Sequence, residues 1–186
     1  MKILIVRGYD SYEYFEETID VKGQIVNITI VPIGKPVLLK KKFKQIISQY
    51  NFDDYDRIYL ISMASCLTSI VDSKYIPKIT LITPFFLYSR PICQLLKSSP
   101  KDFFGSHILM LFNGRMGLFD KRLKIILTEL DIVTDNKYFQ KKFMNITIIK
   151  GLDHCLGEDG ALKIIRSDLG EAVCFKGIAG CDVSYK

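Results

Sequence analysis

The stretch RIYLISMASCLTSIV, residues 57–71, decides the fold because it begins as a buried strand and ends as a helix. Small residues crowd the bend between the two, namely Ser62, Ala64, Ser65 and Cys66. An ordinary strand-to-helix turn needs only one residue with a permissive backbone. Four small residues at this bend are more than the turn needs, which indicates that the corner has a role beyond joining the strand to the helix.

Around this stretch, short apolar runs alternate with amphipathic segments, which is typical of a parallel sheet covered by helices. We predict strands at 2–6, 25–31, 57–61, 79–83, 108–112 and 146–150, with a further edge strand at 172–176. Helices are predicted at 37–49, 65–71, 90–97, 121–130 and 160–169. The predicted fold is a three-layer α/β architecture with helices on both faces of a mostly parallel sheet. Its ligand site is expected at the carboxyl ends of the strands.

The chain has 186 residues, of which 48% are hydrophobic, so it is large enough to bury a real core. No low-complexity tract or linker rich in Pro, Gly or Ser interrupts it. We expect a single domain over 1–186, with a core of about 2–169 and a C-terminal extension at 170–186.

The net charge of +6 and the pI near 9.0 leave open a partner such as nucleic acid or an anionic membrane. The one dense basic run comprises Lys40, Lys41, Lys42 and Lys44. It lies on a predicted helix whose other face is apolar, so a solvated helix face explains it and no nucleic-acid partner is expected.

Five cysteines cannot all pair within one chain, and none forms a CxxC motif. This pattern predicts reduced thiols and a cytoplasmic location. The apolar run at the amino terminus is too short for a signal peptide. No apolar stretch is long enough to span a bilayer.

Function on such an architecture resides in the loops that leave the strands at their carboxyl ends. Four predicted exits carry informative residues: RGYD at 7–10, SMASC at 62–66, NGRMGLFD at 113–120 and KGLDHCL at 150–156. His154, one of two histidines, lies in a polar loop where an imidazole can face a cleft.

A nucleophile elbow has the pattern small-x-nucleophile-x-small, because its strained central residue must clear the neighbouring elements. With Ser62 and Cys66 at the small positions, Ala64 stands where the nucleophile belongs. Three explanations stay open. A natural Ser or Cys was replaced on purpose; the alanine is native and the chain does not cleave; or the register differs, and Ser62, Ser65 or Cys66 is the nucleophile.

These exits resemble the α/β-hydrolase superfamily over about residues 2–169. LIVRGYD resembles the oxyanion strand and turn, RIYLISMASC the elbow, MLFNG the strand before the acid and KGLDHCLG the histidine loop. The resemblance implies a triad in chain order at Ala64, Asp120 and His154. Asp120 is a displaced candidate for the acid and also suits a helix N-cap.

The resemblance further implies an oxyanion hole formed by the backbone N–H groups of Tyr9 and Ser65. The expected substrate-binding residues are Gly8, Met63, Phe85, Phe86 and Met116, although core packing also accounts for the large ones.

The leading hypothesis is a serine- or cysteine-type hydrolase or acyltransferase that acts on an ester or thioester of an acyl group, small or carrier-borne. It needs no metal and no cofactor. The alternative is a non-catalytic pseudoenzyme that binds a ligand or a protein partner. A nucleotide-binding domain is disfavoured, because neither GxGxxG nor a P-loop follows the first strand.

Overall fold

A computed structural model describes residues 1–8, 13–154, 156–173 and 175, with only the backbone of 157 and 158. The strands are β1 (Lys2–Arg7), β2 (Phe15–Val21), β3 (Gln24–Pro32), β4 (Arg57–Ile61), β5 (Ile79–Ile82), β6 (Lys124–Thr128) and β7 (Asn145–Ile149). The α-helices are α1 (Leu39–Gln49), α2 (Ser89–Ser98), α3 (Pro100–Asn113), α4 (Asn136–Lys142) and α5 (Gly157–Asp168). Three 3₁₀ helices cover Phe52–Asp54, Ser62–Ser69 and Ser73–Lys78.

The strands form one sheet in the order β2-β3-β1-β4-β5-β6-β7. β1 and β3 to β7 run parallel, and β2 pairs antiparallel with β3 at one edge. Lys22 and Gly23 join β2 to β3 with positive φ angles of 55° and 80°, as a tight two-residue hairpin requires. The mostly parallel α/β class predicted from the sequence is confirmed.

Two apolar cores lie on the two faces of the sheet. Alternate strand residues such as Leu4 and Val6 point into the first core, which also receives the buried faces of α1, α2 and α4. Their neighbours Ile3 and Ile5 point into the second core with α5. Because the central strands are buried on both faces, they appear in the sequence as continuous apolar runs.

A buried carboxylate ties α5 to the sheet. The Asp168 side chain is 4% exposed and accepts hydrogen bonds from Arg57 Nη1 (3.2 Å) and the Tyr59 hydroxyl (2.9 Å). Lys124 also forms an ion pair with it. Burial and the nearby Asp168 charge raise the pKa of Tyr59, so its hydroxyl stays a proton donor. These contacts fix the end of α5 against the first residues of β4 and β6.

Two predicted elements are wrong in type. The apolar run at 108–112 lies inside α3, and the segment 121–130 contains β6 instead of a helix. Both are short and apolar, so periodicity does not separate buried helix from buried strand. The predicted helix at 65–71 belongs to the 3₁₀ helix Ser62–Ser69, while β2 and α4 were not predicted.

Of the proposed edge strand at 172–176, residues 174 and 176 lie outside the described part, and 172, 173 and 175 are not in a strand. None of the helices in the described ranges is both long and apolar enough to cross a membrane.

Candidate active site

Ser62 follows β4 with a left-handed backbone, at φ +53°. A non-glycine residue in this region is uncommon, and such strain clusters at functional sites. The chain turns there from β4 into the 3₁₀ helix Ser62–Ser69. The neighbouring exit, that of β1, brings Gly8 so close that an added Cβ would lie 2.9 Å from the Ser62 Cβ. The sharp corner is therefore real, and Ser62 occupies it.

His154 faces this corner from the loop that follows β7. Its Nε2 lies 2.9 Å from Ser62 Oγ. Its side chain is 17% exposed, so the imidazole is partly accessible to solvent instead of fully buried in the core. The Thr128 hydroxyl donates to the backbone oxygen of Asp153 over 3.0 Å, and this bond ties the histidine loop to the end of β6.

Asp131, in the loop after β6, completes a chain of three side chains. Its Oδ2 lies 2.8 Å from His154 Nδ1, and its side chain has no exposed surface. Its Oδ1 accepts the backbone N–H groups of Val133 and Thr134, each over 2.8 Å. Burial alone would raise the pKa of Asp131, but the hydrogen bond and charge of His154 and the Thr134 N–H lower it. Asp131 is thus held as a carboxylate.

These contacts assign the proton positions. When the ring is neutral, the Asp131 carboxylate at Nδ1 favours the tautomer that carries its proton there and donates it to Oδ2. Nε2 then accepts the Ser62 hydroxyl. A hydroxyl donating to a base that a third group orients is the arrangement of an activated nucleophile.

The loop after β5 supports the same corner. Thr83 also has a positive φ, 43°, which is a genuine outlier for a β-branched residue. Two residues later, the Phe85 N–H donates to the Ser62 carbonyl over 3.1 Å. Thr134 Oγ1 lies 3.4 Å from the Pro84 oxygen. The exits of β4, β5 and β6 are therefore linked around the site.

The structure corrects the register of the elbow. Ala64 is fully buried in the first core, and Ser65 is buried as well. Cys66 is buried, its thiol points at the backbone oxygens of Phe85 and Met116, and burial raises its pKa to about 12. Of the residues proposed for the nucleophile position, Ser62 is the one that contacts His154.

The structure also places Asp120 away from the histidine. Its carboxylate forms an ion pair with Arg122 over 2.7 Å, and that contact lowers its pKa to about 2. Asp120 precedes β6, whereas Asp131 follows it. Asp131 was missed because 121–130 was interpreted as a helix; reading KIILT, residues 124–128, as a strand would have pointed to the next loop.

The predicted pocket residues divide into two groups. Gly8 lies beside Ser62, as described above. Phe86 and Met116 have no exposed surface, and Met63 and Phe85 have very little, so the apolar core holds them instead of an open pocket.

Of the predicted oxyanion donors, Tyr9 lies outside the described residues. Ser65 falls inside the hydrogen-bonded turns of the 3₁₀ helix. The first N–H groups of such a helix, here those of Ser62 and Met63, have no partner within it. The N–H groups nearest the corner are therefore at its start, two residues before the predicted donor.

No protein-family model and no curated protein matches this chain. Among solved structures, it is similar to the crystal structure of MGS-MChE2, an α/β hydrolase enzyme from the metagenome of sediments from the lagoon of Mar Chica, Morocco. The two share 14% sequence identity with a TM-score of 0.52, over 90% of this chain and 89% of that chain. A likeness at this identity concerns the fold alone. The chain has an α/β-hydrolase-like fold.

Proposed function

We propose that the protein is a serine hydrolase or acyltransferase that acts on an ester or thioester of an acyl group. The observation that carries this proposal is the hydrogen-bonded chain from Ser62 to His154 (2.9 Å) and on to Asp131 (2.8 Å). It lies at the carboxyl ends of parallel strands, where α/β folds carry their sites.

In the first half-reaction, Ser62 Oγ attacks the acyl carbonyl carbon while His154 Nε2 takes the hydroxyl proton. The C–O or C–S bond to the leaving group then breaks, and His154 returns the proton to the departing alkoxide or thiolate. Asp131 holds the ring and stabilises its positive charge. Water, or an acceptor alcohol or thiol, then attacks the acyl-serine by the same proton exchange.

The negative charge on the carbonyl oxygen needs hydrogen-bond donors, and the Met63 N–H is the first that we assign. For the second we keep the N–H of Tyr9 that the sequence predicted, which lies outside the described residues. Each such donor typically contributes about 3 kcal/mol to the transition state.

The proposal of a small or carrier-borne acyl group is supported by access to the corner. Ser62 is partly exposed and the His154 side chain is 17% exposed, so an acyl group reaches them from solvent. Such access suits a small acyl group or one presented on a carrier.

The non-catalytic alternative depended on an alanine at the nucleophile position. Ser62 supplies a hydroxyl there, so this alternative has lost the observation that favoured it. The explanation that a natural Ser or Cys at position 64 was replaced is likewise unnecessary.

The experiment measures turnover of p-nitrophenyl esters and acyl thioesters together with labelling by a fluorophosphonate probe. We expect the wild-type chain to hydrolyse at least one short-chain substrate and to be labelled. Ser62→Ala should abolish both signals. Ser69→Ala is the matched control, because Ser69 lies at the exposed end of the same 3₁₀ helix. Labelling that persists in Ser62→Ala, or no reaction from the wild type with any substrate, would refute the proposal.

A further inference from the structure

α3 exposes an apolar face to solvent. Its members, here called the outer stripe, are Phe104, Ile108, Leu111 and Phe112. Leu111 is 82% exposed and Phe104 63% exposed. The opposite side of the helix is buried against the protein through residues such as Leu109 and Asn113. The outer stripe therefore has no packing role in the described structure.

Helix geometry makes this stripe continuous. At about 100° per residue, its four members span roughly 100° of the helix circumference. Asn113 Nδ2 donates to the Val37 carbonyl over 2.7 Å, and Val37 and Leu38 are themselves half exposed. Exposed apolar residues therefore lie both on α3 and at the start of α1, which adjoins the end of α3. Contiguous apolar surface of this kind usually marks an interaction site.

Basic residues surround the same surface. Lys101 lies in line with the outer stripe at the start of α3, and Arg115 follows its end; both are exposed. The acidic residue Asp102 lies about 160° around the helix from Phe104 and is therefore not on the side of the outer stripe. Residues 37–49 and 89–115 together hold eight basic residues and one acidic residue, a net charge of +7 against +6 for the whole chain. The positive charge is therefore concentrated in these two segments, in which Arg90 is paired with Asp135.

We propose that the outer stripe of α3 and the lysines of α1 bind the surface of an anionic phospholipid membrane. The apolar side chains enter the boundary between headgroups and acyl chains, while the basic side chains contact lipid phosphates. A second copy of the chain fits poorly, because a symmetric contact would bring the basic residues of two identical surfaces together. This binding is independent of the proposed hydrolase activity.

The test is vesicle flotation with the full chain, using phosphatidylcholine alone and with about 30% phosphatidylserine. We expect flotation with the anionic vesicles, much less with neutral ones, and release at high salt. Ser62→Ala should float like the wild type, so failure of the enzyme proposal leaves this result unaffected.

Two pairs of variants locate the surface. Leu111→Gln with Phe112→Gln should abolish flotation, whereas Leu130→Gln with Met144→Gln, which changes exposed apolar residues elsewhere, should not. Lys40→Gln with Lys41→Gln should weaken vesicle affinity about 30-fold, since each lysine near the surface contributes roughly a fivefold factor. The matched control is Lys141→Gln with Lys142→Gln, at the end of α4.

Because the altered side chains are exposed, circular dichroism and thermal unfolding should not change. The proposal is overturned if anionic vesicles do not carry the protein. It is also overturned if control and stripe variants lose binding equally, or if sedimentation velocity shows a dimer that Leu111→Gln with Phe112→Gln dissociates without any vesicle binding.

Discussion

Gly8 and Ser62 face each other across the exits of β1 and β4, and the space between them has no room for a methyl group. A Cβ on Gly8 would lie 2.9 Å from the Ser62 Cβ and 3.1 Å from the Ile61 oxygen. The contacted atoms belong to a strand end and a short side chain, so they cannot move aside without shifting the corner.

Gly8→Ala should therefore lower kcat/KM about 100-fold, because displacing a reactive group by about 1 Å has an effect of that size. The measurement is ester hydrolysis together with urea unfolding. Gly105→Ala is the control: no atom lies within 4 Å of its added Cβ, and the helix position should gain up to about 1 kcal/mol of stability. Full activity in Gly8→Ala would show that the corner is less constrained than the distances indicate.

Asp131→Asn should lower kcat by about 10⁴ with little change in the fold. The Val133 and Thr134 N–H groups occupy one oxygen of this side chain, so an asparagine keeps its oxygen there and turns its NH₂ toward His154. The ring must then carry its proton on Nε2, where it can no longer accept the Ser62 proton. Asp120→Asn, which breaks only the Arg122 pair, should retain activity; the reverse ranking of the two variants would return the acid role to Asp120.

Acid should destabilise the wild-type chain more than Asp131→Asn. The pKa of Asp131 is lower in the folded state than the value near 3.9 of an unfolded aspartate. Its contribution to the free energy of unfolding is thus present above that unfolded pKa and is lost as the pH falls through the folded pKa. Urea unfolding at a series of pH values from about 6 to about 2 measures this difference. If the free energies of unfolding of the two proteins fall equally as the pH is lowered, this prediction is wrong.

Asp168→Ala should destabilise the protein by about 3 to 5 kcal/mol, because it leaves Arg57, Lys124 and the buried Tyr59 hydroxyl without their shared acceptor. The free energy of unfolding from urea titration reports the effect. Asp53→Ala removes the exposed ion pair with Lys74 and the Tyr75 hydrogen bond and should lower the free energy of unfolding far less. If the two variants lose the same stability, α5 is not held by this carboxylate.

Strands of the central sheet were predictable because burial on both faces leaves a run such as ILIV, residues 3–6, without polar interruption. α3 and β6 were not, since ILMLF and KIILT are both short apolar runs, and periodicity does not separate helix from strand in runs of that length. The β2 strand at the sheet edge was not predicted, because its exposed side chains are polar and charged.

The site was predictable to the same extent as its strands. The histidine loop follows a correctly predicted strand, and His154 lies at the site; Asp131 follows the strand that was interpreted as a helix. The elbow register was ambiguous because small residues satisfy more than one alignment. Counting from Ser62, the residue two before it is Leu60, which is not small. Gly8, on the adjacent strand exit, provides the clearance instead, and a local pattern cannot report a contact between distant segments.

The left-handed backbone at position 62 has a consequence for evolution. A related chain that no longer needs the hydroxyl would still have to make the same bend. Glycine, asparagine and aspartate tolerate that conformation better than alanine or a β-branched residue. Among homologues that have lost catalytic activity, we expect Gly or Asn at position 62. The residue at this position would then distinguish inactive homologues from active ones.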